Sequence, residues 1–294
     1  MSDSIPPDSA ALKSAPAPRN ARLASIQMVS GTDVARNLAL AAKLIAEAAD
    51  AGAEIIGLPE YFPLLGQQDS DLIRAGESFG RGPIQDWLKE IASRHRVWLL
   101  AGSIPVLPEA DDGKSGKRIC NTMLALDPDG AVRARYDKIH LFSFTGVRER
   151  YEEARVIYPG KVAPVTLETP FGRIGLSICY DLRFPELFRA MSREKPVDLI
   201  FLPAAFTVTT GRAHWEILTS ARAIENQCYL LASCQGGTHE NGRRTHGYSQ
   251  IIDPWGEIIA QKKRGEGVIL AELDHERIRQ IRQTLPALTH RRLA

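Results

Sequence analysis

The sequence predicts an α/β protein in which helices cover β-sheets. Two observations support this prediction: short apolar runs typical of strands alternate with helical patterns along the chain, and two helical segments have a clear apolar face. The composition agrees, because 44% of the 294 residues are hydrophobic and 24% are charged. Such values are ordinary for a globular chain and exclude a disordered, fibrous or collagen-like protein.

The individual elements follow from residue spacing and from turn residues. The first helix is capped by Thr32 or Asp33, shows apolar residues three and four apart, and ends at Gly52; the second opens at Pro83. Further helices are predicted over residues 185–192 and 213–226. Strands are predicted over 23–29, 54–58, 97–106, 119–126, 132–136, 164–168, 173–178, 197–202, 229–233, 249–252, 257–260 and 268–273, with a polar hairpin loop at 109–117.

The N-terminal residues differ in composition from the remainder of the chain. Residues 1–20 are rich in Pro, Ala and Ser and lack the apolar segment of a signal peptide, so we expect a mobile tail and no export. No composition break or internal repeat divides the rest. We therefore predict a single domain over residues 21–294, folded from about Arg22 to about Pro286 and ending in the basic run HRRLA.

Charge and cysteine content narrow the function classes. Lys and Arg total 37 against 35 Asp and Glu, which indicates neither a nucleic-acid partner nor a membrane-binding patch. No apolar run is long enough to span a membrane. Cys120, Cys179, Cys228 and Cys234 show no CxxC spacing, and the seven His show no ligand spacing. We expect reduced thiols, a cytoplasmic location, and neither a metal nor a cofactor.

Three reactive side chains follow predicted strands. Glu60, Lys138 and Cys179 each stand just beyond an apolar segment, and ligands of open α/β sheets collect beyond the strands' carboxyl ends. A thiol is only a few per cent ionised at neutral pH, so a carboxylate that accepts its proton assists attack on a carbonyl or nitrile carbon. The resulting oxyanion needs a cation or N–H donors, which Lys138 and the backbone of Tyr180 can supply. These residues predict a thiol hydrolase.

Two other interpretations of the same residues stay open. A cysteine in an apolar strand is often an inert core residue. A Cys–His pair is a rival mechanism, with His140, His214 or His246 as the base. Spacing alone does not separate these alternatives.

Three sequence blocks, LPEYF, YDKIHLF and ICYDLRFPELFR, resemble in this order the signature blocks of the nitrilase superfamily, the carbon–nitrogen hydrolases. The resemblance runs from Leu23 to Arg292. It implies a four-layer αββα sandwich, a homodimer or higher even oligomer, and a Glu-Lys-Cys triad. Matched by position, the general base is Glu60, the lysine is Lys138 and the nucleophile is Cys179. A second supporting glutamate falls on Glu153, next to Glu152.

The segments after Cys179 are similar to an amidase branch of this family that acts on deaminated glutathione or α-ketoglutaramate. Tyr180 stands where true nitrilases typically have Trp. The resemblance implies hydrolysis of a small acidic amide, first of all deaminated glutathione. It implies that Arg183 contacts the substrate carboxylate and that Phe206 and Thr210 line the pocket.

The chain departs from the usual family pattern at three places: 143–145 (Ser-Phe-Thr), Tyr248 and Cys234. An omega-amidase, an N-carbamoyl amide hydrolase, a nitrilase and a non-catalytic scaffold remain as alternatives.

Overall fold

The structure is a computed structural model that describes residues 17–109, 118–146 and 150–293. Over these residues the helices are α1 (Val34–Asp50), α2 (Asp69–Arg74), α3 (Pro83–His95), α4 (Pro185–Met191), α5 (Val208–Asn226) and α6 (His275–Thr284). The strands are β1 (Ala21–Gln27), β2 (Ile55–Gly57), β3 (Trp98–Val106), β4 (Cys120–Leu126), β5 (Val132–Asp137), β6 (Ser143–Thr145), β7 (Arg150–Glu152), β8 (Val165–Thr169), β9 (Gly172–Leu176), β10 (Leu199–Ala204), β11 (Tyr229–Cys234), β12 (Ser249–Ile252), β13 (Ile258–Lys262) and β14 (Gly267–Leu273).

Two six-stranded sheets form the centre of the fold. Their strand orders are β14-β1-β2-β3-β4-β5 and β13-β12-β11-β10-β9-β8. Three neighbouring strands in each sheet are parallel, β1-β2-β3 in the first and β9-β10-β11 in the second, and the outer pairings are antiparallel. Parallel neighbours need a crossover connection, and helices α1, α3, α4 and α5 lie in those connections.

The helices cover the outer faces of the stacked sheets. Leu44 of α1 and Leu88 of α3 join Ile56 of β2 in one apolar cluster. Phe188 of α4 and Trp215 of α5 belong to a second cluster, which also contains inward-facing residues of both sheets. The layers therefore run helix, sheet, sheet, helix, and the predicted αββα sandwich is confirmed.

Two glycines mark where chain segments approach closely. A Cβ at Gly57 would lie 2.3 Å from the Phe201 ring, so the sheets meet without a side chain at this point. A Cβ at Gly102, whose φ is +25°, would lie 2.0 Å from the carbonyl oxygen of Pro59. The segment that carries Glu60 therefore passes directly over β3.

The structure corrects several element boundaries. Helix α5 begins at Val208 rather than near residue 213, because the Thr207 side chain accepts a hydrogen bond from Thr210 N and caps it there. Helices α2 and α6 and the β6–β7 hairpin were not predicted. Near the end of the expected tail, Arg19 N donates to Pro170 O (3.0 Å). Residues 1–16 and most of the predicted loop at 109–117 lie outside the described residues.

Over residues 17–109, 118–146 and 150–293, no helix is apolar and long enough to cross a bilayer. The same residues contain no group of three or more His, Cys, Asp or Glu side chains that could hold a metal ion.

Candidate active site

The three reactive residues predicted from strand ends lie together in the structure. Glu60 follows β2, Lys138 directly follows β5, and Cys179 begins a short 3₁₀ turn after β9. All three side chains are buried, with Lys138 fully shielded from solvent. The cluster combines residues from both sheets, since β2 and β5 belong to the first sheet and β9 belongs to the second.

Glu60 is the centre of the cluster. Its Oε1 accepts hydrogen bonds from Lys138 Nζ (2.9 Å) and Asn121 Nδ2 (3.0 Å), and its Oε2 accepts one from Ala205 N (2.8 Å). The Cys179 thiol lines the same cavity as Glu60, and the charge of Glu60 acts on it. One buried carboxylate thus binds the ammonium and lies near the thiol.

Lys138 is held by a second carboxylate, that of Glu153. Its Nζ lies 2.8 Å from Glu153 Oε1 and 2.7 Å from Oε2. Glu153 also accepts hydrogen bonds from Tyr61 Oη (3.1 Å) and Phe142 N (2.7 Å). The neighbouring Glu152 instead faces Arg150 at 3.7 Å, so Glu153 is the member of this pair that contacts the lysine.

Cys179 occupies a sharp turn between strand and helix. Its φ is +50°, a conformation that side chains other than glycine adopt rarely. Asp181 stabilises this turn by accepting hydrogen bonds from Ile178 N (2.8 Å) and Tyr136 Oη (2.6 Å). The nucleophile candidate therefore stands on a strand-to-helix turn that resembles in geometry the nucleophile elbow of hydrolases.

Burial and charge set the protonation states. Burial together with the charge of Glu60 raises the pKa of the Cys179 thiol well above its ordinary value, although Lys138 opposes this. Burial alone would lower the pKa of Lys138, but the carboxylates of Glu153 and Glu60 outweigh it and raise that pKa. At neutral pH the resting site therefore holds a neutral thiol and a charged ammonium.

The thiol faces a narrow cavity of about 20 Å³. Its lining includes the following residues: Glu60, Tyr61, Phe142, Glu153, Cys179, Tyr180, Ala205, Phe206, Thr207, Thr210 and Arg243. A larger chamber of about 390 Å³ adjoins it and shares Tyr61, Phe142, Glu153 and Arg243. The predicted pocket residues Tyr180, Phe206 and Thr210 are all on the cavity wall.

Arg183 is not one of the lining residues, but its guanidinium lies close to two of them. Its guanidinium carbon is 5.8 Å from the Tyr180 ring centroid and 5.5 Å from that of Phe206. Its Nη1 lies 3.2 Å from His214 Nδ1.

The three histidines considered as bases are directed elsewhere. His140 Nδ1 lies 2.7 Å from Asp181 Oδ1, and the ring stacks on Phe184. His246 stacks on Tyr248, and His214 contacts Arg183. Glu60, not one of these histidines, shares the cavity wall with the thiol.

Sequence reasoning missed four residues of the site: Tyr61, Asn121, Phe142 and Arg243. Tyr61 is inside the LPEYF block and directly follows Glu60, so its position was a usable signal. Asn121 is a buried polar residue at the start of β4, and its carbonyl accepts a hydrogen bond from Lys138 N (3.0 Å). Phe142 and Arg243 carry no comparable signal.

The three departures from the family pattern leave this geometry intact. Residues 143–145 form β6, which pairs with β7 and leads directly to Glu153. Tyr248 has a φ of +58°, and its carbonyl accepts a hydrogen bond from Trp215 Nε1 (2.9 Å). Cys234 is buried in β11, where burial raises the pKa of its thiol.

Comparison with known proteins extends these observations. The carbon–nitrogen hydrolase family model matches residues 22–283. A protein of Synechocystis sp. named deaminated glutathione amidase is 43% identical over 270 residues, covering 91% of this chain and 97% of its own length.

Two solved structures also match. Saccharomyces cerevisiae Nit3, described as a member of branch 10 of the nitrilase superfamily, superposes with a TM-score of 0.82 at 29% identity, covering 93% of this chain and 97% of its own. An amidase from Nesterenkonia sp. AN1, with acrylamide added at its active-site cysteine, gives a TM-score of 0.73 at 26% identity and covers 90% and 98%. The chain therefore belongs to the carbon–nitrogen hydrolase family and is a hydrolase of non-peptide carbon–nitrogen bonds.

Proposed function

We propose that this hydrolase cleaves a small acidic amide through a covalent thioester on Cys179. Glu60 is the general base and acid, and Lys138 is the cation that holds the oxyanion. The observation that carries the proposal is the position of one buried carboxylate, Glu60, which binds the ammonium and shares a cavity wall with the thiol. Nucleophile, base and fixed cation are the parts that acyl transfer requires.

The protonation states identify the base. Because the pKa of Cys179 is raised, the thiol must lose its proton as it attacks. Lys138 is already protonated because its pKa is raised too, so it cannot accept that proton. Glu60 lines the cavity together with the thiol and is the remaining acceptor.

The reaction then proceeds in two halves. Cys179 Sγ attacks the amide carbon while its proton moves to Glu60, and the oxyanion is bound by Lys138 and the Tyr180 N–H. The C–N bond breaks as Glu60 gives the proton to the leaving nitrogen, which leaves a thioester. Water attacks the thioester as Glu60 takes a proton from it, and collapse of this second intermediate releases the acid and restores the thiol. The Tyr180 N–H is suited to its role because N–H groups in a first helical turn lack an intrahelical partner.

Glu153 positions Lys138 in this mechanism. In the resting site the ammonium donates to Glu60 and to both oxygens of Glu153. To bind an oxyanion, Lys138 exchanges one of its hydrogen bonds to Glu153 for one to the oxyanion. The Glu153 carboxylate keeps the hydrogen bonds donated by Tyr61 Oη and Phe142 N. An interaction formed only when the oxyanion develops accelerates the chemical step.

The acyl half of the proposed substrate is an α-keto acid, as in deaminated glutathione. The name of the Synechocystis relative supports this choice. We assign its carboxylate to the side of the cavity formed by Phe206 and Thr210, where the Arg183 guanidinium lies near the rings of Tyr180 and Phe206 and can bind it. Intact glutathione has an ammonium in place of the keto group, and an unpaired buried charge is costly.

Comparing kcat/KM for deaminated glutathione, α-ketoglutaramate and glutathione tests the substrate. We expect activity to fall in that order, with glutathione hardly hydrolysed. A tenfold or greater preference for α-ketoglutaramate would establish an omega-amidase instead. Turnover of an N-carbamoyl amine with release of carbon dioxide, or of a nitrile, without turnover of the three amides would contradict the amidase assignment.

The assembly we propose is a homodimer formed through an exposed apolar patch. This patch consists of Ile217 and Ile224 on α5 and the nearby Trp255, which are 72%, 49% and 55% exposed. Sedimentation of the wild-type chain and of Ile217→Lys tests it, and a monomeric wild type would contradict it. The four cysteines are unpaired and buried, which supports a reducing, cytoplasmic location.

A further inference from the structure

The large chamber beside the catalytic cavity has no role in the chemical steps. The cavity at Cys179 is narrow, at about 20 Å³. The adjoining chamber, at about 390 Å³, has the size of a small-molecule site. Tyr61, Phe142, Glu153 and Arg243 belong to both walls, so a ligand extending from the thiol toward these residues enters the chamber.

Arg243 stands at the junction of the two spaces, and its backbone is fixed. Its N–H donates to Asn241 Oδ1 (2.9 Å), and its carbonyl accepts from His239 N (2.9 Å). Asn241 in turn donates to the carbonyl of Gly66 (2.7 Å), which ties this turn to the opposite side of the chamber. The guanidinium carbon lies 5.1 Å from the Tyr151 ring centroid, a contact that orients the planar group.

The guanidinium is available to an anion. Within the described parts of the chain it donates no hydrogen bond to another residue and forms no ion pair with a carboxylate. The acids of the chamber are engaged or exposed: Glu153 is bound to Lys138, Glu152 faces Arg150, and Asp69 is exposed to solvent. A partly buried arginine with unused donors matches a carboxylate, which it binds with two parallel hydrogen bonds.

We propose that Arg243 binds a carboxylate on the amine half of the substrate and so selects amides whose leaving group is acidic. This inference rests on the proposed function and deepens it. The acyl half lies against Phe206 and Thr210, and the amine half extends through the junction into the chamber. A short peptide with a free C-terminal carboxylate is the leaving group that this arrangement fits, whereas ammonia would leave the chamber unused.

Three substrates that share one acyl group test the proposal. They are deaminated glutathione, its C-terminal carboxamide and α-ketoglutaramate, which differ only in the leaving group. We expect Arg243→Gln to lower kcat/KM for deaminated glutathione by about tenfold to a hundredfold, chiefly through KM, the range for hydrogen bonds to a charged group. The values of kcat/KM for the other two substrates should change by less than about twofold, because their leaving groups lack the carboxylate that the Arg243 guanidinium binds.

Arg244→Gln is the matched control, because Arg244 is the exposed neighbour of Arg243 and does not line either space. It should leave all three rates unchanged. Equal losses of Arg243→Gln on all three substrates, or none on deaminated glutathione, would overturn the assignment. A loss specific to deaminated glutathione in Arg155→Gln but not in Arg243→Gln would overturn it too, since Arg155 also lines the chamber. Failure of the wild-type chain on every substrate would instead reject the proposed function itself, and the inference with it.

Discussion

Replacing Lys138 separates what this residue does for stability from what it does for chemistry. Lys138→Met keeps an unbranched side chain but removes an ammonium that donates three hydrogen bonds to two carboxylates. Glu60 is then left 1% exposed, and the Glu153 side chain 17% exposed, without a cation. Removing one partner of a buried ion pair costs about 3–5 kcal/mol. We expect a fall in Tm of roughly 6–20 °C, at about 2–4 °C per kcal/mol.

A second substitution restores the charge balance without restoring the chemistry. In Lys138→Met with Glu153→Gln, one of the two unpaired carboxylates becomes neutral, while Glu60 keeps its contacts with Asn121 and Ala205 N. We expect at least half of the lost stability to return. The rate of thioester formation should remain at least ~10²-fold below wild type in both variants, because neither can hold the oxyanion.

Thermal unfolding and single-turnover kinetics on the same preparations are the assay. Lys195→Met is the matched control, because Lys195 forms an exposed pair with Glu168 (2.9 Å) and such pairs contribute about 0–1 kcal/mol. Wild-type kcat in Lys138→Met would refute the oxyanion role. A double variant no more stable than the single one would refute the account of the buried charges.

Four further predictions concern other groups. Cys179→Ala should abolish turnover and change the free energy of unfolding by no more than about 1–2 kcal/mol, measured by steady-state assay and urea unfolding; full activity would contradict the mechanism. Glu60→Gln should lower kcat by at least ~10²-fold, and a change in KM alone would reassign Glu60 to binding. Arg183→Lys should weaken acidic substrates more than a neutral amide of similar size, because the planar fork is lost; equal losses would make Arg183 structural. Burial raises the pKa of the Cys228 thiol in the folded state. The protonated thiol therefore contributes fully to the free energy of unfolding below the unfolded pKa of about 8.5. Above that pH the contribution falls by about 1.4 kcal/mol per pH unit. Urea unfolding from about pH 8 to about pH 10 should therefore show a steeper fall for wild type than for Cys228→Ala, and equal slopes would rule this out.

The clustering of Glu60, Lys138 and Cys179 was predictable because strand ends carry positional information. Glu60 and Cys179 each follow a parallel strand, β2 in the first sheet and β9 in the second, and ligands of α/β sheets collect beyond the carboxyl ends of such strands. Glu153 follows no long strand, and its assignment came from family resemblance alone. The structure supports that assignment through the Lys138 contacts.

Other parts of the site depend on long-range pairing that spacing does not reveal. Asn121 reaches Glu60 because β4 pairs with both β3 and β5. Arg243 reaches the cavity through a turn fixed by Asn241 and Gly66, which are 175 residues apart in sequence. The predicted start of helix α5 lies after its observed start at Val208, because the first turn is polar and its apolar spacing gives no signal there. The Thr207 cap sets the observed start. The single domain over residues 21–294 stays a prediction.

Identification of the covalent intermediate tests the central claim most directly. The wild-type chain would be mixed with deaminated glutathione, quenched in acid within the first turnover, and digested for mass spectrometry. The mechanism predicts an α-ketoglutaryl thioester on the peptide that contains Cys179, absent when Cys179→Ala is treated in the same way. Turnover with no adduct, or an adduct on Cys120, Cys228 or Cys234 with Cys179 unmodified, would contradict it.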